Sequence, residues 1–263
     1  MGEAAVAVLG RQGEIATRGL RGWATRWASV TKVFSAYACL VAVEEGTLDL
    51  DEACGPPGST VRHLLAHASG LPFEDGQPIA RPGTRRIYSN SGFDVLAAQL
   101  EARGQMPFGV YLDEAVLGPL GIRARLDPAE RWQAGAGLCG SLDDLIVFAR
   151  ELLGPTLIAT ETLTEATTVA FPGLGGVLPG IGRFDPNDWG LGFELRDEKH
   201  GHWTGTLASA RTFGHFGGSG TFLWVDPEAD LACACLSDRE FGDWAMEAWP
   251  ALSDAIVAEL RGS

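Results

Sequence analysis

Only two lysines occur in the 263 residues of this chain, and one of them stands three residues after a serine, in Ser29-Val30-Thr31-Lys32. A serine hydroxyl is a poor nucleophile until a neighbouring base accepts its proton, and an amine can do so once its pKa falls towards neutrality. The apolar run that follows predicts a helix over 29–45, closed by Gly46 at the C′ position. On that helix the i, i+3 spacing sets Ser29 and Lys32 on one face. The positive end of the helix dipole also favours negative charge developing at Ser29. An N-cap serine beside a solvated lysine has the same spacing, so the pair carries weight only with partners.

Tyr88-Ser89-Asn90 is the first candidate partner, ahead of a helical pattern at 91–103, and only three tyrosines occur. A phenol titrates near 10, and two nearby cations would favour its phenolate and make it a competent base. A turn asparagine before Ser91 as an N-cap is the plainer alternative. Gly214-His215-Phe216-Gly217-Gly218-Ser219-Gly220 is the second, on or beside a strand near the C-terminus. Glycine lets a backbone approach a ligand closely, and the N–H of Gly218 with that of Ser29 would suit an oxyanion. A glycine bulge in a hairpin is the alternative there.

These segments need a scaffold that brings them together. Residues 4–16 read as two short strands around Arg11-Gln12-Gly13. Helical patterns follow at 60–67, 91–103, 106–117 and 141–153, the last with Ser141 as N-cap and Asp143 and Asp144 in its first turn. A Gly/Pro-rich loop spans 172–189. Strands are expected at 191–195, 212–215, 222–225 and 231–236, and a closing helix at 243–260. The pattern is α+β: an antiparallel sheet built from both chain ends and flanked by helices, plus a helical lobe. Residues 1–58 and 187–263 would form the sheet lobe and 59–186 the mostly helical lobe of one interleaved catalytic unit.

Composition narrows the partners. Twenty basic residues face 34 acidic ones, a net charge of −14, so no basic surplus exists to neutralise nucleic-acid phosphates or an anionic membrane. No stretch approaches the ~18 apolar residues of a membrane span. The N-terminus lacks a basic stretch before its short apolar run, and five cysteines without a CxxC pair suggest free thiols. A cytoplasmic protein acting on a small molecule is the expectation; oligomeric state is not readable.

In this order the three motifs resemble the serine β-lactamase and penicillin-binding-protein superfamily, and within it the class C β-lactamase-like branch that includes family VIII esterases and D-stereospecific peptidases. Leu64-Leu65-Ala66-His67-Ala68-Ser69-Gly70-Leu71 is similar to the family's "LLxHxSGL" segment, 136–145 to its glycine-rich turn and following helix, and Trp189-Gly190-Leu191-Gly192-Phe193 to its "YGLGW" strand. The similarity runs from about residue 4 to 238. It implies a β-lactamase/transpeptidase-like fold in which Ser29 attacks a carbonyl and Lys32 and Tyr88 share the proton. Asn90 would orient Lys32 and the substrate, and Gly218 and Ser29 would supply the oxyanion donors. It implies no metal or organic cofactor.

Where penicillin-recognising enzymes carry Lys-Thr/Ser-Gly, this chain has His215-Phe216-Gly217. His215 is neutral for much of its time near pH 7, and Phe216 offers no hydroxyl to a carboxylate. An unpaired carboxylate there costs on the order of a few kcal/mol. A neutral short-chain ester is the expected substrate, with β-lactam hydrolysis slight or absent. A β-lactamase, a D-stereospecific peptidase or amidase, and a catalytically silent sensor or scaffold are the alternatives. The chain is short for the family, so trimmed rim loops and an open cleft are expected.

Other candidates carry less. His63 and His67 have metal-pair spacing but no HExxH glutamate. His200 and His202 read as part of a solvated hairpin, Cys233 and Cys235 as core on one strand face. Trp23 and Trp27 read as either packing or pocket lining. No Gly-x-Ser-x-Gly occurs.

Overall fold

A computed structural model describes residues 3–260. β1 (Ala4–Gly10) and β2 (Gly13–Arg18) form the expected hairpin, and β3 (Ala24–Arg26) follows. A 3-10 turn, Ala28–Val30, then leads into α1 (Thr31–Glu44), so Ser29 precedes the helix rather than opening it. Next come α2 (Val61–Leu65), β4 (Arg86–Ile87) and α3 (Asn90–Gly104). The stretch expected as one helix over 106–117 is α4 (Phe108–Leu112), a π turn at Asp113–Leu117, and α5 (Gly118–Leu120). β5 (Arg125–Leu126), α6 (Gln133–Ala136), β6 (Leu138–Ser141), α7 (Leu142–Leu153) and α8 (Thr160–Ala166) complete the middle. β7 (Gly176–Leu178), β8 (Gly182–Phe184), β9 (Glu194–Leu195), β10 (Phe213–Gly217), β11 (Thr221–Asp226), β12 (Leu231–Ser237) and α9 (Asp243–Leu260) end the chain.

The two chain ends meet in one six-stranded antiparallel sheet of order β2-β1-β12-β11-β10-β9, with Ala4 opposite Ser237 and Gly10 opposite Leu231. Both faces are covered, which is why β11 and β12 lack polar alternation. Ala5, Ala7, Ala232 and Ala234 belong to the larger core, shared with α1 and α7. Their small side chains let helices approach the sheet. Val8, Phe222, Trp224, Cys233 and Cys235 belong to the second core, with Trp249, Ile256 and Val257 of α9. Residues 31–42 of α1 are buried all round, as expected of a central helix rather than a surface one.

The α+β architecture is the one the sequence implied. Ser141 caps α7 in a capping box with Asp144. Though it lies within the 59–186 stretch, α7 packs on β1, β11 and β12.

Local expectations failed in three places. The 172–189 loop contains the β7–β8 hairpin, and β7 runs parallel to β4. The strand expected over 191–195 shrinks to Glu194–Leu195, because Gly192 has φ +87° and presses onto α1, where a Cβ would lie 2.0 Å from that of Ala36. The N-cap of α3 is Ser89, whose hydroxyl accepts the Gly92 N–H, and not Ser91.

Candidate active site

Three separate elements converge where the sequence motifs lie. The 3-10 turn places Ser29 directly after Ala28, which holds a left-handed φ of +46°. A non-glycine residue there costs of order 1 kcal/mol and persists only where its surroundings impose it. They do: Gly217 of β10 packs so closely beneath the turn that a Cβ would meet the Trp27 carbonyl at 2.2 Å, and the Thr221 hydroxyl donates to the same carbonyl at 2.9 Å.

One turn along α1, Lys32 is fully buried. Its Nζ lies 3.3 Å from Ser29 Oγ, 2.6 Å from Asn90 Oδ1 and 2.8 Å from the Gly135 carbonyl. Burial lowers its pKa to about 7, with Asp94 and Glu130 opposing the shift. Asn90 is held as the first residue of α3, its N–H donating to the Phe73 carbonyl at 2.8 Å. The Gly135 segment is pinned to α1, because Ser35 Oγ donates to the Ala134 carbonyl at 2.7 Å and Thr31 Oγ1 accepts the Leu138 N–H at 3.0 Å. Sequence reasoning missed Gly135. Its contribution is a carbonyl, which residue identity does not encode; a Cβ there would sit against the site, 3.3 Å from Asn90 Oδ1 and 3.4 Å from Nζ.

Tyr88 is buried between α3 and β10, its hydroxyl 3.3 Å from His215 Nε2. His215 donates its Nδ1–H to the Phe216 carbonyl at 2.6 Å, which leaves Nε2 as an acceptor for the phenol. Burial, aided by the Lys32 charge, pushes His215 down to about 3, so it is neutral. Burial pushes Tyr88 well above its ordinary value, and the Ser29 hydroxyl opposes this in part. The expected phenolate therefore gives way to a phenol: with His215 neutral, the second cation that would stabilise it is missing, and desolvation wins.

Beyond the site residues, Gly217 acts by close approach, as above. Phe216 packs on Phe241 (ring centroids 4.7 Å apart) and Trp249 (6.1 Å), with an edge reaching a cavity of about 240 Å³. That cavity is lined also by Ser29, Tyr88, His215, Gly218 and Leu178. The Gly218 carbonyl accepts the Phe241 N–H at 2.9 Å, which fixes the peptide that follows Gly218, and a Cβ at Gly218 would meet nothing within 4 Å.

His67 lies beneath Tyr88, ring centroids 4.5 Å apart, with Nδ1 accepting the Ser89 N–H at 3.1 Å. It has φ +53° beyond the end of α2, so the i, i+4 spacing to His63 does not become a shared helical face; His63 stacks on Phe171 instead. Of the hairpin expected to be solvated, Glu198, His200 and Gly201 are exposed, but Lys199 and His202 are buried. Glu194 binds Lys199, the His202 Nε2 at 2.7 Å and the Trp203 Nε1–H at 3.0 Å. A strongly polar tripeptide read as surface, because nothing in the local pattern announced the acid on β9. Trp27 is packing: it lies 5.0 Å from Phe34, and its Nε1–H donates to the Gly140 carbonyl at 3.1 Å.

Among the described residues no helix is long and apolar enough to cross a membrane. A crystal structure of a β-lactamase from Mycobacterium bovis superposes with a TM-score of 0.96 at 55% identity, covering 98% of this chain and 95% of that one. A putative β-lactamase from Bacteroides dorei has the same fold, with a TM-score of 0.81 at 17% identity over 99% and 93% of the chains. Esterase EstB of Burkholderia gladioli is 24% identical over 97% of this chain and 90% of its own. The β-lactamase family model matches residues 4–257, almost all of the chain that builds the sheet, the turn and α1, and on that match this protein belongs to the β-lactamase family and has its hydrolase fold.

Proposed function

We propose that the protein is a serine hydrolase that works through an acyl-enzyme on neutral esters. The observation that carries this reading is the environment of Lys32. A neutral amine has two N–H donors and one lone pair; here two of its three contacts are carbonyl oxygens, of Asn90 and Gly135, and the third is the Ser29 hydroxyl. With the donors committed, the lone pair is left facing Ser29, and a pKa of about 7 keeps much of the amine neutral near pH 7.

In this mechanism Ser29 attacks the carbonyl carbon while its proton passes to Lys32. The N–H groups of Ser29 and Gly218 receive the oxyanion. As the tetrahedral intermediate collapses, Tyr88 hands its phenolic proton to the leaving oxygen and regains one from the Lys32 ammonium. Water repeats the sequence on the acyl-enzyme. Before Tyr88 gives up its proton, the neutral His215 holds the phenol by accepting its one hydrogen, which turns from Nε2 to the leaving oxygen as the intermediate collapses.

Ester preference rests on the lining. Phe73, Leu178, Pro179, Phe216 and Phe241 surround the cavity, and its histidine is uncharged, so a β-lactam carboxylate finds no cation or hydroxyl on Phe216 to meet it. A β-lactamase is the second reading, favoured by the Mycobacterium bovis relative, which bears that description. Initial rates on p-nitrophenyl butyrate and on a chromogenic cephalosporin separate them. Faster turnover of the ester is expected; faster turnover of the cephalosporin would reverse the preference.

A further inference from the structure

Three exposed apolar side chains, Phe73, Ile79 and Val177, stand together although they come from two distant segments. They line a second cavity of about 390 Å³ with Ile87, Tyr88 and Pro179, and the exposed Arg85 stands at its margin. It shares Phe73, Tyr88 and Pro179 with the cavity that holds Ser29, so the two lie side by side along these residues. Exposed apolar residues clustered beside a polar reactive group mark a binding surface more often than scattered ones do.

The groove is built rather than incidental. On one wall, the Pro72 carbonyl accepts from the Ser89 and Ser91 hydroxyls at 2.6 and 3.0 Å, and the Phe73 carbonyl accepts from Asn90. The loop bearing Phe73 is thus tied to the N-terminus of α3, the element that carries Asn90. Ile79 is held by its N–H to the Gly70 carbonyl at 2.9 Å. On the other wall, β7 docks on β4 so closely that a Cβ at Gly176 would lie 2.2 Å from the Arg86 carbonyl, and the strand alternation then leaves Val177 exposed while Leu178 is buried. Between them, Arg86 removes its charge from the floor: its guanidinium donates inward to the carbonyls of Asn187, Ala66, Ala170 and Phe171.

The geometry points to this groove as the site for the leaving alcohol, and to a substrate whose alcohol part is long and apolar while its acyl part is short. The inference rests on the ester reading above. A chain running from Ser29 into the second cavity must pass Tyr88, the group that protonates the leaving oxygen, whereas Gly218 and Phe216 line only the first cavity. The acyl group therefore stays in the smaller space and the alcohol extends past Phe73 to Ile79 and Val177.

Two series of esters test this, with turnover followed by acid release: butyrates of methanol through octanol, and ethyl esters of acetate through octanoate. For the alcohol series kcat/KM is expected to rise about threefold to fourfold per methylene, the selectivity of burying one CH2, and to show no such rise along the acyl series beyond butyrate. Val177→Asp and Ile79→Asp, both at exposed positions, should flatten the alcohol series, read as the slope of kcat/KM relative to methyl butyrate within each variant, since they remove the surface that buries added methylenes. Equal slopes in both series, or a flat alcohol series with active enzyme, overturn the inference. A second measurement does not depend on turnover: calorimetric binding of N-hexylbutyramide and N-methylbutyramide to the Ser29→Ala protein. At least tenfold tighter binding of the hexyl amide, lost in Ser29→Ala/Val177→Asp, supports the groove even if no ester reacts; equal binding overturns it even if esters do.

Discussion

Tyr88 and His215 meet with the imidazole as acceptor and the phenol as donor. The Nδ1–H of His215 is committed to the Phe216 carbonyl at 2.6 Å, and Nε2 faces the phenol at 3.3 Å. Because burial pushes His215 down to about 3, the ring does not change charge in the range where the enzyme would work. Its part is to orient Tyr88, and the titration of the site belongs to Lys32.

It follows that His215→Asn, which preserves an acceptor, should lower kcat by roughly 10-fold to 100-fold through a misplaced phenol, yet keep the same rise of kcat/KM with pH. A rise that disappears in the variant would assign the titration to the histidine.

Burial of Lys32 carries a cost in stability with a defined pH window. Its folded pKa of about 7 lies below the ordinary value of 10.5, so the unfolded chain binds more protons between those limits and stability grows with pH across them. The full penalty, on the order of 4–5 kcal/mol, applies below pH 7 and vanishes above about 10.5. Lys32→Met escapes it. The variant's stability relative to the parent should therefore fall steadily from pH 7 to 10, as chemical denaturation at several pH values would show. A difference independent of pH would mean that the amine is not desolvated.

Neighbouring glycines should behave in opposite ways. Gly217→Ala drives a Cβ to 2.2 Å from the Trp27 carbonyl and displaces the turn that carries Ser29, whereas Gly218→Ala enters open space. A loss of about 2 kcal/mol or more, together with activity, is expected for the first, and less than ~1 kcal/mol for the second. Melting temperatures of the two variants decide it; similar losses would contradict the close approach.

Much of this was legible in the residues. Ser29, Lys32, Tyr88, Asn90 and the 214–220 run were recognisable because each is a side chain or glycine type with its own chemistry at a characteristic spacing, and α7 because its cap and periodicity agree along its length. What was hidden depends on partners far away in the chain. The β7–β8 hairpin owes its pairing to β4, some ninety residues earlier, and not to its own composition. The Gly135 carbonyl is backbone. The phenol state of Tyr88 is set by how deeply the fold buries it, which no local pattern records.

The Glu194 cluster illustrates the same limit and yields its own expectation. Burial raises its carboxyl pKa, but His202 and Lys199 outweigh that and hold it at about 2, below the ordinary 4.5. The stabilisation is present above pH 4.5 and lost as pH falls towards 2. Glu194→Gln leaves Lys199 buried without its counter-charge and should cost about 3 kcal/mol at pH 7, with the gap to the parent narrowing between pH 4.5 and 2. Acid-unfolding curves that stay parallel would count against it.

The central claim, that Ser29 is the nucleophile and a neutral Lys32 its base, is tested most directly by the rate of fluorophosphonate labelling as a function of pH, read by intact mass and peptide mapping. The account predicts one label, on Ser29, forming at a rate that climbs through an apparent pKa of about 7 and is lost in Ser29→Ala. A label on another residue, or a rate on Ser29 unchanged between pH 5 and 9, would contradict it.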